Sequence, residues 1–177
     1  MDFKELILKR RSTRKYAEGK SISKEEIREI AEAALMAASW KNSETARVYV
    51  GTPQGKYDAI MNSLPSYNQN SSKNAVAMVV TTFKKGISGF AGDEPANSLG
   101  DMWGAYDLGL HDAYFILKAK DMGYDSLIMG LRDEDALRKA LDIPSDEEIV
   151  SVISLGVAEK EPNLNPRKNI DDALKID

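Results

Sequence analysis

The sequence predicts a single domain of mixed α and β structure, built on about four strands. Its 177 residues are 42% hydrophobic, which is enough material for one domain with a substantial core. Segments with helical spacing of apolar residues alternate along the chain with short apolar or β-branched runs that are typical of strands. Because the chain contains no internal repeat, we expect one domain over residues 1–177, with an extended tail from about 161 to 177.

The first half of the chain is predicted to contain three helices and two strands. Asp2 is placed to cap a short amphipathic helix, and Ser23 begins a capping-box pattern for a helix over about 24–38. A polar loop then leads to a β-rich stretch at 47–50, and the continuous apolar run at 75–80 predicts a buried strand. Between these strands we expect, in order, a helix at about 55–63 and a polar turn at 65–73.

The second half begins with a long loop. Residues 84–100 carry four glycines and one proline with little periodicity, which predicts a mobile loop of the kind that often forms a lid. A broad apolar stripe from Asp101 to Met122 predicts a long, largely buried helix, which Gly123 ends. The remaining elements are expected to be a strand at 127–129, a helix at 134–141, a strand at 149–156 and an extended tail from 161.

Composition argues against several kinds of site and partner. The formal net charge is −4, and no basic stripe extends beyond residue 14, so we expect no nucleic-acid partner. The chain has no cysteine and one histidine, His111, which leaves no thiolate and no second histidine to share a metal. Since no apolar run approaches the roughly 18 residues that span a bilayer, and no signal-peptide pattern is present, we expect a cytoplasmic protein without a membrane partner.

Five consecutive residues near the N-terminus concentrate hydrogen-bond donors: Arg10, Arg11, Ser12, Thr13 and Arg14. Arginine presents a planar fork of donors that matches phosphate oxygens, and Ser or Thr adds a short neutral donor. Basic residues at the end of a helix also complement its dipole, and short basic clusters are often solvated surface. From these residues alone, an anion site and a charged helix end both remain open.

The chain lacks the parts for nucleophilic catalysis. With no cysteine and one unsupported histidine, an enzyme made of this chain would borrow its reactivity from a cofactor. A flavin mononucleotide (FMN) would give the basic cluster a ligand, because it needs cations at its phosphate, donors near N1 and O2 of its ring, and a backbone N–H near N5. The chain can supply all three.

Five segments combine basic, polar and glycine residues at characteristic spacings. They are Arg10–Arg14 (compare R-R-S-x-R), Ala38–Ser43 (compare the start of P-S-x-x-N-S-Q-P-W), Asn70 with Lys73 (N-x-x-K), Gly123–Gly130 (G-x-x-x-x-x-M-G) and Asn165–Lys168 (compare K-P-R-K). In these segments, and in their order and spacing over nearly the whole chain, the sequence resembles the FMN-dependent nitroreductases in the short form of their fold.

This resemblance implies an α+β nitroreductase-like fold, with a central, mostly antiparallel sheet flanked by helices, in an intertwined homodimer. It also implies that the basic cluster binds the phosphate and ribityl chain, that Arg14 and Lys73 lie near the pyrimidine edge, and that backbone N–H groups contact N5 and O4. The implied FMN-binding residues are Arg10, Arg11, Ser12, Arg14, Asn70, Lys73, Gly130, Leu131, Arg167 and Lys168 from one chain, and Ser39 and Asn42 from its partner. Trp40 is an added aromatic beside the ring that would stack on the flavin or narrow the pocket, and it is equally well explained as filling the dimer core.

The activity that the resemblance implies is an oxidoreductase in which the flavin carries the chemistry and no side chain is catalytic. NADH or NADPH would deliver a hydride to N5, and a small-molecule acceptor such as a nitroaromatic or a quinone would then take the electrons at the same site, by a ping-pong mechanism. Four aromatic residues are candidates for the wall of the substrate pocket, although each is equally well explained as ordinary core: Trp40, Tyr67, Phe90 and Trp103.

The sequence departs from the family pattern in three places. Glu44–Ala46 stands where relatives have Q-P-W, Ala38 replaces the usual proline, and Asn165 replaces a phosphate-binding lysine, which leaves that end to Arg167 alone or with Lys168. Two alternatives therefore stay open, a flavin carrier or sensor with little turnover and a phosphate-binding module without flavin.

Overall fold

The computed structural model describes all residues from 1 to 177 and has six α-helices around a four-stranded sheet. The helices are α1 (Phe3–Lys9), α2 (Lys24–Ala34), α3 (Tyr57–Asn62), α4 (Ser66–Ser71), α5 (Met102–Asp121) and α6 (Glu134–Leu141). The sheet consists of β1 (Ala46–Gly51), β2 (Ala77–Lys84), β5 (Asp125–Met129) and β6 (Glu147–Gly156), while β3 (Phe90–Ala91) and β4 (Glu94–Pro95) form a small hairpin.

The strand order in the sheet is β1-β2-β6-β5, and every neighbouring pair is antiparallel. The predicted central antiparallel sheet flanked by helices is therefore confirmed. Ala77 pairs with Leu155 at one end of the sheet, and Ala46 pairs with Phe83 near the other. We call these the Ala77 end and the Phe83 end.

Helices cover both faces of the sheet. On one face α2 and α5 bury Ile30 and Phe115, and on the other α3 and α6 bury Ile60 and Leu137. The central strand β2 has apolar side chains on both faces, which explains its continuous apolar run. The core thus lies in two layers that fix the sheet between them.

Several predicted boundaries agree with local capping. The Asp2 side chain accepts a hydrogen bond from the Glu5 N–H at 2.8 Å, and Ser23 with Glu26 forms the complete capping box. Helix α6 spans residues 134–141 as predicted. Gly123 follows α5 with a φ of +92°, a left-handed conformation that glycine adopts without strain.

Two predictions about the helices were wrong. Helix α2 ends at Ala34 instead of 38, because the exposed Leu35 and Met36 gain no burial there and the chain turns towards α5. The segment 65–73, expected to be a turn, contains α4, whose start after Pro65 is braced by a hydrogen bond from the Gln69 side chain to the Leu64 carbonyl at 2.8 Å.

Helix α5 combines apolar and polar buried residues. Leu108 and Phe115 are buried together with Asp107, His111 and Asp112. The His111 Nδ1 atom lies 3.2 Å from Asp112 Oδ1, so the single histidine is held inside the fold. None of the six helices is both long enough and apolar enough to cross a membrane.

Candidate functional site

The basic cluster lies where α1 ends and the chain joins the Ala77 end of the sheet. Arg10 caps α1 in an extended conformation. The Thr13 N–H then donates to the Ser126 carbonyl at 2.9 Å, and the Ala17 N–H donates to the Val157 carbonyl at 2.8 Å. The cluster is therefore carried on backbone that is hydrogen-bonded to the sheet.

Tyr16 anchors this segment. Its side chain is buried, and its hydroxyl lies 2.9 Å from Ser154 Oγ. A Cβ atom at Gly156 would come within 2.5 Å of the Tyr16 ring, so only glycine leaves room for it. Burial also raises the pKa of the Tyr16 phenol, which stays neutral.

Positive charges meet at this segment without forming ion pairs, although Glu159 and Glu161 line the adjoining cleft. Arg10 is partly buried, and its pKa is lowered first by that burial and then by the nearby Arg167 and Arg11 guanidinium groups. None of the ion pairs in the chain involves Arg10, Arg11, Arg14, Arg167 or Lys168. The exposed tail thus brings Arg167 close to the cluster. A bound anion would reduce the repulsion among Arg10, Arg11 and Arg167.

The donors of the cluster are mostly uncommitted. Arg11 Nη1 donates to the Arg10 carbonyl at 2.8 Å, while Arg14 makes a single long contact of 3.5 Å with the Ser12 carbonyl. The Thr13 hydroxyl is buried and has no hydrogen-bond partner. Since each guanidinium has five N–H donors, the cluster can donate to several oxygens of one phosphate group.

A cleft of about 420 Å³ brings Arg14 together with Asn70 and Lys73, at the end of α4. A neighbouring cleft of about 410 Å³ shares Arg14 and adds Ser12. Both volumes fall within the range of small-molecule sites, roughly 300–1,000 Å³. The structure therefore places four of the predicted residues, Ser12, Arg14, Asn70 and Lys73, around one continuous groove.

Gly130 and Leu131 follow β5 next to α4. The Asn68 side chain donates to the Leu131 carbonyl at 3.4 Å, and Arg132 donates to the Gly130 carbonyl. The N–H groups of Gly130 and Leu131 donate no hydrogen bond within the chain, and no atom lies within 4 Å of where a Cβ at Gly130 would be. Two backbone donors are thus free beside open space.

Ser39, Trp40 and Asn42 lie at the opposite end of the sheet. They precede Ala46 at the Phe83 end, whereas Ser12 pairs with Ser126 at the Ala77 end. Six residues of strand separate the two ends, which corresponds to about 20 Å. One chain therefore does not bring these three residues to the basic cluster.

The loop that carries them has an unusual backbone. Lys41, Asn42 and Glu44 have φ values of +48°, +54° and +48°, in the left-handed region that side chains rarely adopt. The Glu44 N–H donates to Ser39 Oγ at 3.1 Å, and Asn42 Nδ2 donates to Glu44 Oε1 at 2.9 Å. Because an ionised carboxylate can only accept, Glu44 fixes the amide so that Asn42 Oδ1 stays available as an acceptor.

The four predicted aromatic wall residues separate into two groups. The Trp40 and Trp103 rings lie 4.9 Å apart, and Trp103 also contacts Tyr106 at 5.5 Å. Phe90 lies on β3, in the loop before α5, while Tyr67 is exposed on α4. Tyr106 was missed by the sequence analysis, although its i+3 spacing from Trp103 would have indicated it.

Other residues that line the groove were also missed, and two of them are acidic. Lys15, Glu18, Asn74 and Glu159 line the cleft with Arg14. Arg132, which does not line the cleft, donates to the Gly130 carbonyl. Lys15 directly follows the cluster and could have been included on charge alone. No sequence signal indicates Asn74, whose φ of +65° lets its side chain donate to the Tyr16 carbonyl at 3.3 Å.

Comparison with known proteins relates this arrangement to one family. The sequence profile of the Nitroreductase family matches residues 7–157. Among curated proteins, none matches the chain in sequence.

Solved structures share the fold at low sequence identity. A nitroreductase family protein from Streptococcus pneumoniae TIGR4 is 19% identical, with a TM-score of 0.85 over 99% of this chain and 100% of its own. A candidate nitroreductase from Exiguobacterium sibiricum 255-15, solved in complex with FMN, is 24% identical, with a TM-score of 0.80 over 100% and 98% of the two chains. A candidate NAD(P)H:FMN oxidoreductase from Staphylococcus epidermidis ATCC 12228 is 20% identical, with a TM-score of 0.82 over 99% and 95%.

Proposed function

This chain belongs to the nitroreductase family, and on that premise we propose that it is an FMN-dependent oxidoreductase. It takes electrons from NADH or NADPH and passes them to a small-molecule acceptor such as a nitroaromatic or a quinone. The observation that carries the proposal is the partly buried Arg10, next to Arg11 and Arg167 and without an acidic partner. Such a group of like charges is unfavourable on its own, and the phosphate of FMN is the anion that compensates it.

The residues around the groove fit the rest of FMN. Arg14 and Lys73 would bring positive charge to the polar edge of the ring, where it favours the gain of electrons, and Asn70 would hydrogen-bond the same edge. The free N–H groups of Gly130 and Leu131 would donate to the N5 side. When bound, FMN supplies hydride transfer between the nicotinamide and the acceptor, so the chain's own task is to hold and orient the ring and to exclude water.

We propose that the protein acts as a homodimer, because Ser39, Trp40 and Asn42 reach the groove only if they come from a second copy. Helix α5 offers an unpartnered apolar face for this contact, with Tyr106 59% and Tyr114 48% exposed. Symmetric pairing would then give two equivalent sites, one FMN at each, with residues from both chains.

The test begins with the protein as purified. We expect a yellow protein with a flavin spectrum that NADH or NADPH bleaches in the absence of oxygen and that a nitroaromatic or a quinone restores. A colourless protein that FMN does not stabilise would refute the proposal.

Partial outcomes separate the alternatives. A flavin spectrum that neither nicotinamide cofactor bleaches would indicate a carrier or sensor. Stabilisation by inorganic phosphate as strong as that by FMN would indicate a phosphate-binding module. Dithionite serves as the control, because it reduces any bound flavin without using the nicotinamide site.

A further inference from the structure

Asp107 is a buried carboxylate of α5 that plays no part in the proposed FMN contacts. It is 4% exposed and has no cationic partner. Its Oδ2 atom accepts two hydrogen bonds, from the Trp40 N–H at 2.9 Å and from the Ser88 hydroxyl at 2.7 Å. These donors belong to two different loops, so one oxygen atom ties both loops to the same helix.

Ser88 extends this connection. It is buried, and its Oγ also lies 2.8 Å from Ser43 Oγ and 3.3 Å from Thr45 Oγ1. A hydroxyl has a single proton, and Ser88 gives its proton to Asp107, so Ser43 and Thr45 must donate to Ser88. The hydroxyl groups of both loops are therefore oriented towards the one carboxylate.

The segments joined at Asp107 carry three of the four aromatic residues predicted to line the acceptor pocket. The backbone N–H of Trp40 donates to the Asp107 carboxylate, and Phe90 follows Ser88 by two residues. Trp103 lies one helical turn before Asp107, with its ring tilted by 52° against that of Trp40. The relative placement of these rings thus depends on the contacts of Asp107.

We propose that Asp107 is a positioning residue that sets the distance and tilt between Trp40 and Trp103, and through them the shape of the acceptor pocket. The part of this inference that concerns the acceptor rests on the proposed function. An apolar residue at 107 would leave the partly buried backbone N–H of Trp40 without an acceptor and would free the Ser88 hydroxyl from α5, so both loops would move.

The chain permits a direct optical test. Trp40 and Trp103 are its only two tryptophans, so tryptophan signals report on this pair alone. Two tilted indole rings with centroids 4.9 Å apart couple their electronic transitions, and we expect an exciton couplet in the far-ultraviolet circular dichroism of the holoprotein. The spectrum of Trp40→Phe provides the uncoupled reference.

The loop that Asp107 holds also carries the contacts proposed to the partner's FMN, so the assay uses saturating FMN. Under that condition Asp107→Ala should abolish the couplet and raise the KM for a quinone acceptor about tenfold, with kcat changed less, because the loss of its hydrogen bonds disturbs the pocket. Asp107→Asn should keep the couplet and the acceptor KM of the wild type, since its amide oxygen can still accept from the Trp40 backbone N–H and from the Ser88 hydroxyl. If Asp107→Ala does not fold, Ser88→Ala should weaken the couplet in the same direction.

Asp112→Ala is the matched control. Asp112 is a buried carboxylate of the same helix, but it accepts from Thr81 Oγ1 at 3.1 Å, on the sheet, and contacts neither loop. We expect lower stability with the couplet and the acceptor KM unchanged. An unchanged couplet in both Asp107→Ala and Ser88→Ala, or an equal loss in Asp112→Ala, would overturn the inference. A wild-type protein that binds no FMN would overturn the proposed function instead, while the couplet would still test Asp107.

Discussion

Lys9 and Arg10 are neighbours in sequence, but only Lys9 forms an ion pair. Lys9 Nζ lies 2.6 Å from Glu5 Oε1, and this partner raises the pKa of Lys9. Arg10 has no acidic partner, and burial together with Arg167 lowers its pKa. This contrast supports two different roles. Lys9 stabilises the C-terminal end of α1, whereas Arg10 is available to bind an anionic ligand.

Arg10→Ala should therefore act in two ways. We expect FMN affinity to fall about 10- to 100-fold, because a hydrogen bond to a charged group contributes roughly 1.5–3 kcal/mol. The free energy of unfolding of the FMN-free protein should stay the same or rise, since the substitution removes repulsion from Arg167. Fluorescence titration with FMN and urea unfolding measure the two effects.

Lys9→Ala is the control for this pair of measurements. It removes a charge one residue away, from an exposed ion pair of small energetic value, and should leave FMN affinity unchanged. An equal loss of FMN affinity in both variants would instead show that the cluster acts through its overall positive charge and not through a direct contact of Arg10 with the phosphate.

Among the elements, the segment 12–17 behaves as an added edge of the sheet. It is held by backbone hydrogen bonds to Ser126 in β5 and to Val157, which follows β6, and by the Tyr16 ring on Gly156. Its position determines where Arg14 enters the groove, so packing at the sheet end and ligand binding are coupled.

Gly156→Ala tests this coupling. The added methyl group would overlap the Tyr16 ring, which we expect to cost about 1–3 kcal/mol of stability and to weaken FMN binding in parallel. Gly55→Ala is the comparison, because its Cβ would meet only an ordinary contact at 3.8 Å. Thermal unfolding with and without FMN distinguishes the two, and a harmless Gly156→Ala would contradict the role of Tyr16.

A second element-level contact predicts behaviour at high pH. On β6, the buried Glu147 accepts from the Tyr49 hydroxyl of β1 at 2.9 Å, and burial together with this carboxylate raises the pKa of Tyr49 from 10.0 to about 12. Below pH 10 the phenol is neutral in both states and its contribution to stability is complete. Between pH 10 and about 12 only the unfolded chain ionises, so stability declines.

The variant Tyr49→Phe isolates this contribution. We expect its urea midpoint to fall less steeply than that of the wild type from pH 10 to 12. The other buried tyrosines are common to both proteins and cancel in the difference. Parallel pH profiles would show that the Tyr49–Glu147 contact does not depend on ionisation.

At the scale of the whole molecule, the proposed dimer places the loop at the Phe83 end of one copy next to the groove at the Ala77 end of the other. Gly109 gives a selective test, since a Cβ at this position of α5 meets no atom within 4 Å in the single chain. Gly109→Glu should therefore fold, but it should dissociate a dimer formed through α5 and weaken FMN binding at least tenfold by removing the partner's loop. Sedimentation velocity measures the mass, and a dimeric variant with normal affinity would place the interface elsewhere.

Most of the fold could be predicted because its elements have local signals. The Ser23 capping box, the apolar run of β2 and the stripe of α5 each identify an element by its own residues. Helix α4 could not be found, because the polar residues 66–71 have no apolar periodicity to indicate it.

The candidate site follows the same rule. Arg10 to Arg14 form a dense local cluster, and the family resemblance adds Asn70, Lys73 and Gly130 to it. Asp107 gave no signal, because its role depends on Trp40, which lies 67 positions away in the sequence. The residues of the groove can thus be predicted from motifs, whereas the support of the Trp40 loop by Asp107 requires the three-dimensional structure.

Because Arg10, Arg11 and Arg167 repel one another until an anion joins them, FMN in the proposed complex would be a counter-ion as well as a cofactor. A ligand that binds only the folded state stabilises it by about 2.7 kcal/mol at 100 times its Kd. The free FMN concentration in the cell would then set the fraction of chains that are unfolded and open to proteolysis. Riboflavin shortage would lower the abundance of this protein as well as its activity.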